Sequence, residues 1–277
     1  MRFQPHPGRR PVLVAGASSG IGEATALALA AVGHPVALGA RRVEKCAATA
    51  ARIVADGGEA VAVALDVTDD DAVRTAVDAA QEALGPLEVV VAGAGDLQIG
   101  RAHEMPVDEW AAQIDVHLVG AYRLYRAVAP AMIARRRGDI VFISSDVVAH
   151  PRPWSSAYVA AKCGVEGMVA TIDMELEGTG VRAGLVRPGQ TITGMGMNLD
   201  QKQTEAMLND WIAFGLARHG NFLTPENLAS AVMAMISMPP GAHMRSVDVE
   251  AEGELVPPES STPAQPEPVA HSEGAPA

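Results

Sequence analysis

A tyrosine and a lysine stand four residues apart in the apolar stretch Ala157-Tyr-Val-Ala-Ala-Lys162. On a helix, this spacing puts Tyr158 and Lys162 on one face, one turn apart. A phenol has an ordinary pKa of about 10, so it acts as acid and base near neutral pH only if roughly 4 kcal/mol of extra stabilisation reaches the phenolate. A neighbouring ammonium favours the phenolate, and the pair therefore predicts a proton-transferring tyrosine. The alternative is a buried tyrosine beside a solvated lysine.

Three glycines follow the apolar run Val12-Leu-Val-Ala15. Gly16 and Gly20 lack the Cβ atoms that would obstruct a tight turn and the approach of a pyrophosphate, and Gly22 allows close packing of helix on strand. The helix that begins here offers N–H groups and the positive end of its dipole to phosphates. The loop predicts a dinucleotide site, with a purely structural turn as the alternative. Its candidate contacts are Gly16, Ser18, Ser19, Gly20, Ile21 and Gly22.

The end of the second apolar run indicates which dinucleotide is bound. An acidic residue there would bind the adenosine ribose hydroxyls and repel a 2′-phosphate, but the chain has Ala40 followed by Arg41 and Arg42. The planar fork of Arg41 can clamp a phosphate. NADP(H) is therefore expected in preference to NAD(H), and the alternative is that both arginines begin a solvated helix. Asp66 and Val67, after the third run, are expected at the adenine ring.

These motifs lie within a regular alternation of strand and helix patterns. Strands are predicted near 11–16, 35–40, 60–65, 87–93, 139–144, 181–187 and 246–250. Right-handed crossovers put helices on both faces of a parallel sheet, with the ligand crevice at the carboxyl ends of its strands. We therefore predict an α/β fold, a single Rossmann-type, doubly wound parallel sheet of about seven strands. The expected divisions are an N-terminal extension (1–10), a cofactor-binding catalytic domain (11–256, lid about 191–222) and a flexible Pro/Glu/Ser-rich tail (257–277).

The composition excludes several classes of function. The 277 residues carry a net charge of −12, so nucleic acid is not an expected partner. No apolar run reaches the roughly 18 residues of a membrane helix and no signal-like segment begins the chain, so we expect no membrane contact and a cytoplasmic location. Cys46 and Cys163 lack metal-ligand spacing, so no metal is expected and both are predicted to be buried small apolar residues. A reactive thiol at Cys163 is the alternative.

Taken together, the motifs resemble those of the short-chain dehydrogenase/reductase superfamily over about residues 10–253. The matching set is Gly16-x-x-x-Gly20-x-Gly22, Asp66, Ala92-Gly-Ala-Gly95, Ser145, Tyr158-x-x-x-Lys162, and Pro188-Gly189 with Thr193. The resemblance implies that Ser145 hydrogen-bonds the substrate oxygen, with Ser144 as the competing candidate. It implies that Tyr158 is the general acid and base, and that Lys162 holds the nicotinamide ribose and lowers the tyrosine pKa. Further cofactor contacts are implied at Ala92, Gly93, Ala94, Tyr158, Lys162, Pro188, Gly189, Thr191 and Thr193.

The sequence departs from the family pattern at two places. Ala92 and Gly93 replace a pair of asparagines but keep the small size that lets a cofactor approach. His117 stands where the family usually has an asparagine that supports a water-mediated proton relay toward the lysine. A neutral imidazole has one donor and one acceptor, so His117 is a candidate catalytic residue in that relay. The alternative is a core histidine with satisfied hydrogen bonds in a slower enzyme.

The expected activity is hydride transfer between NADP(H) and a carbonyl or secondary alcohol of an apolar small molecule. Apolar residues that could contact the substrate, or else only pack the lid onto the core, are Trp154, Met195, Met197, Met207, Trp211 and Phe214. One alternative is a 3-oxoacyl carrier-protein reductase, for which residues 135–137 would be a basic docking patch. Another is a catalytically weak dinucleotide-binding regulator. The family resemblance implies a homotetramer or homodimer, assembled through long helices near 106–134 and 155–178.

Overall fold

The continuous apolar runs of the sequence become the strands of one parallel sheet in the computed structural model, which describes residues 6–193, 195, 200–216 and 219–255. Within these residues seven strands pair in the order β3-β2-β1-β4-β5-β6-β7. The strands are β1 (Val12–Ala15), β2 (Val36–Ala40), β3 (Ala60–Ala64), β4 (Val89–Ala92), β5 (Gly138–Ile143), β6 (Val181–Pro188) and β7 (Ser246–Val249). All neighbouring pairs are parallel, which confirms the predicted seven-stranded, doubly wound sheet.

Eight α-helices accompany the strands in the described ranges. They are α1 (Gly20–Ala31), α2 (Val43–Ala55), α3 (Asp70–Leu84), α4 (Val107–Ile114), α5 (Gly120–Arg135), α6 (Ser156–Glu175), α7 (Gln201–Ala213) and α8 (Pro225–Ile236). The single long helix predicted near 106–134 is wrong in detail, because a π-helical turn, Asp115–Val119, separates α4 from α5. Such a turn inserts a residue into an otherwise regular helix, so apolar periodicity does not reveal it.

Apolar side chains pack on both faces of the sheet, which explains why β1, β2 and β4 are apolar throughout, whereas the edge strand β7 alternates exposed Ser246 and Asp248 with half-buried valines. One layer joins Phe142 of β5 to Leu124 and Met132 of α5 and also includes residues of α3 and α6. The other layer joins Leu38 of β2 to Leu228 of α8 and also includes residues of α1 and α2. These two layers hold the ends of the strands in place for the site.

The strand order reverses at β1, because β2 and β3 lie on one side of it and β4 to β7 on the other. In folds of this kind, ligands bind at the carboxyl ends of the strands where the order reverses. The chains that leave β1 and β4 touch there, since the Gly93 N–H donates to the carbonyl oxygen of Ala15 at 3.1 Å. This is the crevice that the predicted motifs surround.

A buried ion cluster ties the amino ends of β5 and β6 to the start of the chain. Arg10, placed in the N-terminal extension from sequence, is only 3% exposed, and its guanidinium donates to Asp139 Oδ2 at 2.5 Å. Arg10 also donates to the carbonyl oxygens of Glu88 and Ile236. Arg182 donates to the same Asp139 carboxylate through Nε and Nη2. Arg10 is therefore an integral part of the folded domain.

Candidate active site

The turn after β1 is built from glycines in a conformation that other residues avoid. Gly16 has a φ of 85° and Gly20 a φ of 58°. Ser19 precedes α1 without a side-chain hydrogen bond to the helix, so its hydroxyl does not cap the first N–H groups. This bare backbone at a helix N-terminus fits a pyrophosphate. The same turn contains all of the predicted loop contacts, Gly16, Ser18, Ser19, Gly20, Ile21 and Gly22.

The chain leaving β4 closes the other side of this turn. A Cβ on Gly16 would lie 2.7 Å from the carbonyl oxygen of Gly93 and 2.8 Å from the amide nitrogen of Ala94. Ala92 ends β4 and is buried. The lack of a Cβ at Gly16 therefore allows the two backbones to approach each other closely, and a Cβ on Gly93 would lie 3.2 Å from the carbonyl oxygen of Ala15.

Two arginines follow β2 beside the glycine loop, and the structure separates their roles. The Nη2 of Arg42 donates to the hydroxyl of Ser18 at 3.0 Å and to that of Ser19 at 3.3 Å. Arg41, favoured from sequence as the phosphate ligand, lies instead close enough to Asp66 for its charge to influence that carboxylate. Both arginines are exposed. Arg42 and the two serines thus form the group of donors at the mouth of the loop.

Asp66 and Val67 form the turn after β3 and are held by their neighbours. Asp66 Oδ1 accepts the N–H of Thr68 at 3.0 Å and its hydroxyl at 2.7 Å. The hydrogen bond from the Thr68 N–H is the main reason why the pKa of Asp66 is lowered, and the charge of Arg41 contributes less. Val67 is buried, and a Cβ on Gly120 would lie 2.7 Å from its Cγ2 atom. This wall of the crevice is therefore fixed.

The segment after β6 brings the predicted nicotinamide contacts to the same crevice. Pro188 and Gly189 are buried, and the hydroxyl of Thr191 donates to the carbonyl oxygen of Gly189 at 2.9 Å. Thr193 approaches the glycine loop, since a Cβ on Gly20 would lie 3.2 Å from the Cβ of Thr193. The cofactor contacts predicted after β1, β4 and β6 therefore lie around one opening.

Tyr158 and Lys162 lie one turn apart on α6 and meet the end of β5. Lys162 is buried, and its Nζ donates to the carbonyl oxygen of Ile143 at 2.7 Å. The same Nζ lies 5.6 Å from the centroid of the Tyr158 ring. The lysine is therefore aimed by the last carbonyl of the strand and sits against the ring of the tyrosine.

The two consecutive serines after β5 point in different directions. Ser145 is buried, and its Oγ accepts the N–H of Val147 at 3.3 Å. Ser144 donates its hydroxyl to Glu166 of α6 at 2.8 Å, and Arg187 of β6 binds both carboxylate oxygens of Glu166. Ser144 is thereby held in a structural network, while Ser145 lies close enough to Tyr158 to lower its pKa. This arrangement favours Ser145 over Ser144 as the serine of the site.

The pKa values of the pair differ from the sequence expectation. Burial raises the pKa of Tyr158 to about 12, although hydrogen bonding with Ser145 acts in the opposite direction. Burial also lowers the pKa of Lys162 to about 8. Because the cost of burying the phenolate dominates in the protein without cofactor, the expectation that Lys162 lowers the tyrosine pKa stays a prediction.

His117 occupies the π-helical turn and contacts the tyrosine. Its ring stands edge-on to that of Tyr158, with centroids 5.1 Å apart and planes at 82°. Its Nε2 lies 2.6 Å from the carbonyl oxygen of Asp96, which requires Nε2 to carry the proton. Its Nδ1 is then an acceptor, and it is buried with no hydrogen-bond partner among the residues that the structure describes. Burial, reinforced by the charge of Lys162, lowers the pKa of His117 to about 3, so the imidazole is neutral.

An ion pair that the sequence analysis missed lies directly against Ser145. The hydroxyl of Ser145 donates to Asp146 Oδ1 at 3.1 Å. Arg152 donates to both oxygens of Asp146, through Nη1 at 3.0 Å to Oδ1 and through Nη2 to Oδ2. Both side chains are almost fully buried, at 10% and 9% exposure for Arg152 and Asp146. The only sequence signal was a carboxylate immediately after a serine at a strand end.

Helix α7, part of the predicted lid, contacts this ion pair through Trp211. The Arg152 guanidinium carbon lies 5.3 Å from the ring centroid of Trp211, whose Nε1 donates to the carbonyl oxygen of Pro153 at 3.0 Å. Asp210 accepts the Nε1 of Trp154 at 2.7 Å and Nη2 of Arg101 at 3.1 Å. Asp210 and Trp211 of α7 thus form hydrogen bonds with the segment that leads into α6.

The other predicted lid residues have different exposures. Met207 is buried, whereas Met195 is 39% and Phe214 70% exposed. Met197 lies outside the described residues. Trp154, with a φ of 72°, holds its indole in the contact with Asp210 at the expense of backbone strain.

The cysteines and possible metal ligands lie apart from this chemistry. Cys46 is buried as predicted, but Cys163 is exposed because its position on α6 points away from the sheet, so that prediction was wrong for Cys163. The described part of the chain contains no group of three or more His, Cys, Asp or Glu side chains placed to hold a metal ion. Among the same residues, no helix combines the length and apolar character needed to cross a bilayer.

The crevice, its glycine loop and the Ser-Tyr-Lys cluster define a class of nicotinamide-dependent oxidoreductase, and the comparisons agree. The family model described as short chain dehydrogenase matches residues 10–204. A 3-oxoacyl-(acyl-carrier-protein) reductase of Synechocystis sp. is 33% identical over 88% of this chain and 96% of its own length. A glycine betaine reductase of Emericella nidulans is 34% identical over 88% of this chain, which spans only 19% of that relative.

Two solved structures have the same fold. An alcohol dehydrogenase from Thermococcus sibiricus, complexed with 5-hydroxy-NADP, is 29% identical with a TM-score of 0.75 and covers 87% of this chain and 96% of its own. A metagenomic short-chain oxidoreductase in complex with NADP is 34% identical with a TM-score of 0.72 and the same coverage. The chain therefore belongs to the short-chain dehydrogenase family. It is an oxidoreductase that acts on CH–OH groups with a nicotinamide cofactor.

Proposed function

We propose that this protein is an NADP(H)-dependent oxidoreductase that interconverts a carbonyl and a secondary alcohol on an apolar small molecule. Tyr158 is the general acid and base. The observation that carries the proposal is the meeting of Ser145, Tyr158 and Lys162 at the carboxyl end of β5, beside the open glycine loop of β1. A structural role alone would not require a buried lysine against a buried tyrosine, because burying both groups is costly.

Each residue of the cluster has its own task. Tyr158 gives its proton to the substrate oxygen during reduction and takes it back during oxidation. Ser145 hydrogen-bonds the same oxygen and orients it. Lys162 donates one N–H to the carbonyl oxygen of Ile143. Its other two N–H groups can donate to a ribose hydroxyl or to a relay water. When bound, the nicotinamide supplies the hydride for reduction and accepts it for oxidation.

The resting protonation states favour reduction. Burial keeps Tyr158 protonated at neutral pH, since it raises the pKa to about 12. A protonated phenol is the form that a carbonyl requires as acid. Oxidation requires the phenolate, so we expect it to need either a higher pH or the positive charge of an oxidised nicotinamide nearby.

The preference for NADP(H) is supported by the donors after β2. Ala40 provides no carboxylate to repel a 2′-phosphate, and the exposed fork of Arg42 lies at the glycine loop with Ser18 and Ser19. Arg41 adds a second positive charge on the side of Asp66. Both solved relatives are complexes with NADP or a derivative of it, which agrees with this assignment.

A 3-oxoacyl carrier-protein reductase is the second candidate, because a relative that covers the chain nearly end to end has that name. The arginines proposed as its docking patch argue against it. Arg135 donates to the carbonyl oxygen of Leu87, Arg136 to that of Gly178, and Arg137 binds both oxygens of the Glu88 carboxylate. An apolar small-molecule substrate is therefore preferred.

A dinucleotide-binding regulator without activity would have no use for the buried Tyr158 and Lys162, so we place it last. We also expect assembly through α5 and α6, whose outer faces expose Tyr122 and Met174. Large apolar side chains at such positions are typical of surfaces that bury against a second copy. The homotetramer or homodimer and the cytoplasmic location remain expectations.

The test is a titration of the purified protein with NADPH and with NADH by fluorescence, followed by turnover on a panel of apolar ketones. Tyr158→Phe is the control, because it keeps the ring and removes the proton. We expect tighter binding of NADPH, turnover of at least one ketone, and a loss of roughly 10²- to 10⁴-fold in kcat in the variant. Tight binding without turnover on any compound would instead support the regulator.

A further inference from the structure

The catalytic serine is connected to the lid by an unbroken series of side-chain contacts. Ser145 donates to Asp146, and Arg152 holds both oxygens of Asp146. The guanidinium carbon of Arg152 lies over the ring of Trp211 on α7, 5.3 Å from its centroid. No residue of this series between Ser145 and the lid belongs to the motifs of the cofactor or proton-transfer sites.

We propose that Arg152 is a positioning residue that links closure of α7 to the orientation of Ser145, through Trp211 on one side and Asp146 on the other. The proposal rests on the function proposed above. Arg152 is suited to this double contact because a planar guanidinium can bind a carboxylate at its edge and stack on an aromatic ring with its face. A lysine at this position would satisfy neither geometry.

The hydrogen bonds of Asp146 determine whether Ser145 can donate its hydroxyl proton to a substrate. The single hydroxyl proton of Ser145 is directed to Asp146 Oδ1, which also accepts Arg152 Nη1. Because the arginine shares that oxygen, the serine competes for it and can turn its proton toward a substrate carbonyl. Without Arg152, Asp146 would be a buried carboxylate with Ser145 as its donor, and it would retain the serine proton.

The same pair also affects the charge at Tyr158. The groups that face Tyr158 are Ser145, Asp146 and Arg152 from the segment after β5, Lys162 from α6, and His117 from the π-helical turn. The Asp146 carboxylate raises the pKa of Tyr158 and the Arg152 guanidinium lowers it. The two effects oppose each other only while both residues are present. Loss of Arg152 alone therefore leaves an unbalanced negative charge beside the phenol.

The experiment compares the wild type with Arg152→Gln, Asp146→Asn/Arg152→Gln and Arg101→Gln. Arg101 is the matched control, because it also binds α7, through Asp210, and stacks on Trp154 at 4.6 Å, but does not contact Asp146. The readouts are kcat and KM for ketone reduction, the pH profile of alcohol oxidation, and hydrogen–deuterium exchange of α7 in the protein without substrate.

For Arg152→Gln we expect kcat to fall about tenfold and the acidic limb of the oxidation profile to move up by about one pH unit, the size of shift that one neighbouring charge produces. Exchange in α7 should become faster. The double variant should return the limb to its wild-type position, because the unbalanced charge is gone, while exchange stays fast. Arg101→Gln should speed exchange and raise KM without moving the limb.

Three results would overturn the proposal. The first is an Arg152→Gln protein with wild-type exchange in α7, which would show that Arg152 does not hold the lid. The second is a double variant whose pH limb is as displaced as that of the single variant. The third is a single variant whose pH limb is not displaced. If the wild type itself turned over no ketone, the proposed function would fail, and the exchange measurement would still decide whether Arg152 holds α7.

Discussion

The imidazole of His117 stands edge-on to the phenol of Tyr158 at a centroid distance of 5.1 Å, with its Nε2 bonded to the Asp96 carbonyl. The ring is held by that bond and by the π-helical turn, and Gly95 is required beside it because a Cβ there would lie 2.9 Å from Nδ1. The result is a neutral, oriented imidazole beside Tyr158, and its buried Nδ1 has no hydrogen-bond partner among the residues that the structure describes. Nδ1 can accept one hydrogen bond, so a role of His117 in the proton relay stays a prediction.

We predict that His117 contributes a neutral hydrogen bond and no proton of its own. Because its pKa is lowered to about 3, it stays uncharged from pH 5 upward and adds no limb to the pH profile. His117→Asn keeps a donor and an acceptor and should stay within about threefold of wild-type kcat, whereas His117→Leu should lose about tenfold, the value of one hydrogen bond. Steady-state kinetics from pH 5 to 10 measure this.

One experimental result would contradict a role of His117 in the proton relay. If His117→Ala left both turnover and its pH profile unchanged, the histidine would be a core residue only. Thermal unfolding of each variant serves as the control, because a loss of kcat that merely follows a loss of folded protein would not count.

We predict that Lys162 costs stability below pH 8 in the protein without cofactor. Burial lowers its pKa from 10.5 to about 8, so between these values the unfolded chain binds more protons than the native protein and stability from this group rises with pH. Lys162→Met should therefore be more stable than wild type at pH 7, by on the order of 2 kcal/mol, and this advantage should shrink toward pH 10. Denaturant unfolding at pH 7 and pH 10 measures both differences.

Turnover of Lys162→Met should fall despite its greater stability, because the variant lacks the ammonium group that we propose binds the nicotinamide ribose. Lys202, on α7 and exposed, provides the matched control, and Lys202→Met should change the unfolding free energy by less than about 0.5 kcal/mol. A Lys162→Met protein less stable than wild type at pH 7 would contradict the assigned cost of burying the ammonium.

The strands and the Ser-Tyr-Lys cluster could be predicted because their signals are local. Strands β1, β2 and β4 are buried throughout, so their sequences carry no polar side chain, and Tyr158 and Lys162 lie together because of helix geometry alone. The glycine loop is equally local, since positive φ values at Gly16 and Gly20 demand glycine itself. A short stretch of chain contains all the information in these cases.

Other features depend on contacts between distant segments and could not be predicted. Arg152 meets Asp146 across an irregular loop and Trp211 from a helix almost sixty residues later, and no periodicity describes either contact. Arg42 rather than Arg41 reaches the serines because the orientation at the end of β2 depends on the whole sheet. The pKa of Tyr158 depends on how deeply its side chain is buried, and the spacing between Tyr158 and Lys162 in the sequence does not reveal that burial.

We predict that Arg42 discriminates between the two cofactors. Arg42→Ala removes the fork beside Ser18 and Ser19 and should weaken NADPH roughly 10- to 100-fold, the usual value of a charge-assisted hydrogen bond, while NADH binding stays within about twofold. Arg41→Ala should have a smaller effect because Arg41 lies toward Asp66. Fluorescence titration of both cofactors at two salt concentrations measures these affinities.

The control for this prediction is Arg74→Ala, which removes an exposed arginine paired with Asp71 on α3. It should change neither affinity. Equal weakening of NADPH and NADH by Arg42→Ala would mean that the arginine serves the pyrophosphate or the fold rather than the 2′-phosphate.

The last prediction concerns stability at the amino ends of β5 and β6. Asp139 is 4% exposed and is the shared partner of Arg10 and Arg182. Asp139→Ala leaves buried guanidinium groups without their carboxylate, and we expect a loss of about 3–5 kcal/mol in unfolding free energy. Asp71→Ala breaks the exposed pair with Arg74 and should cost less than about 1 kcal/mol. Urea unfolding followed by circular dichroism measures both. A cost for Asp139→Ala as small as that for Asp71→Ala would mean that Arg10 and Arg182 find water or other acceptors, and that the start of the chain is not held by this cluster.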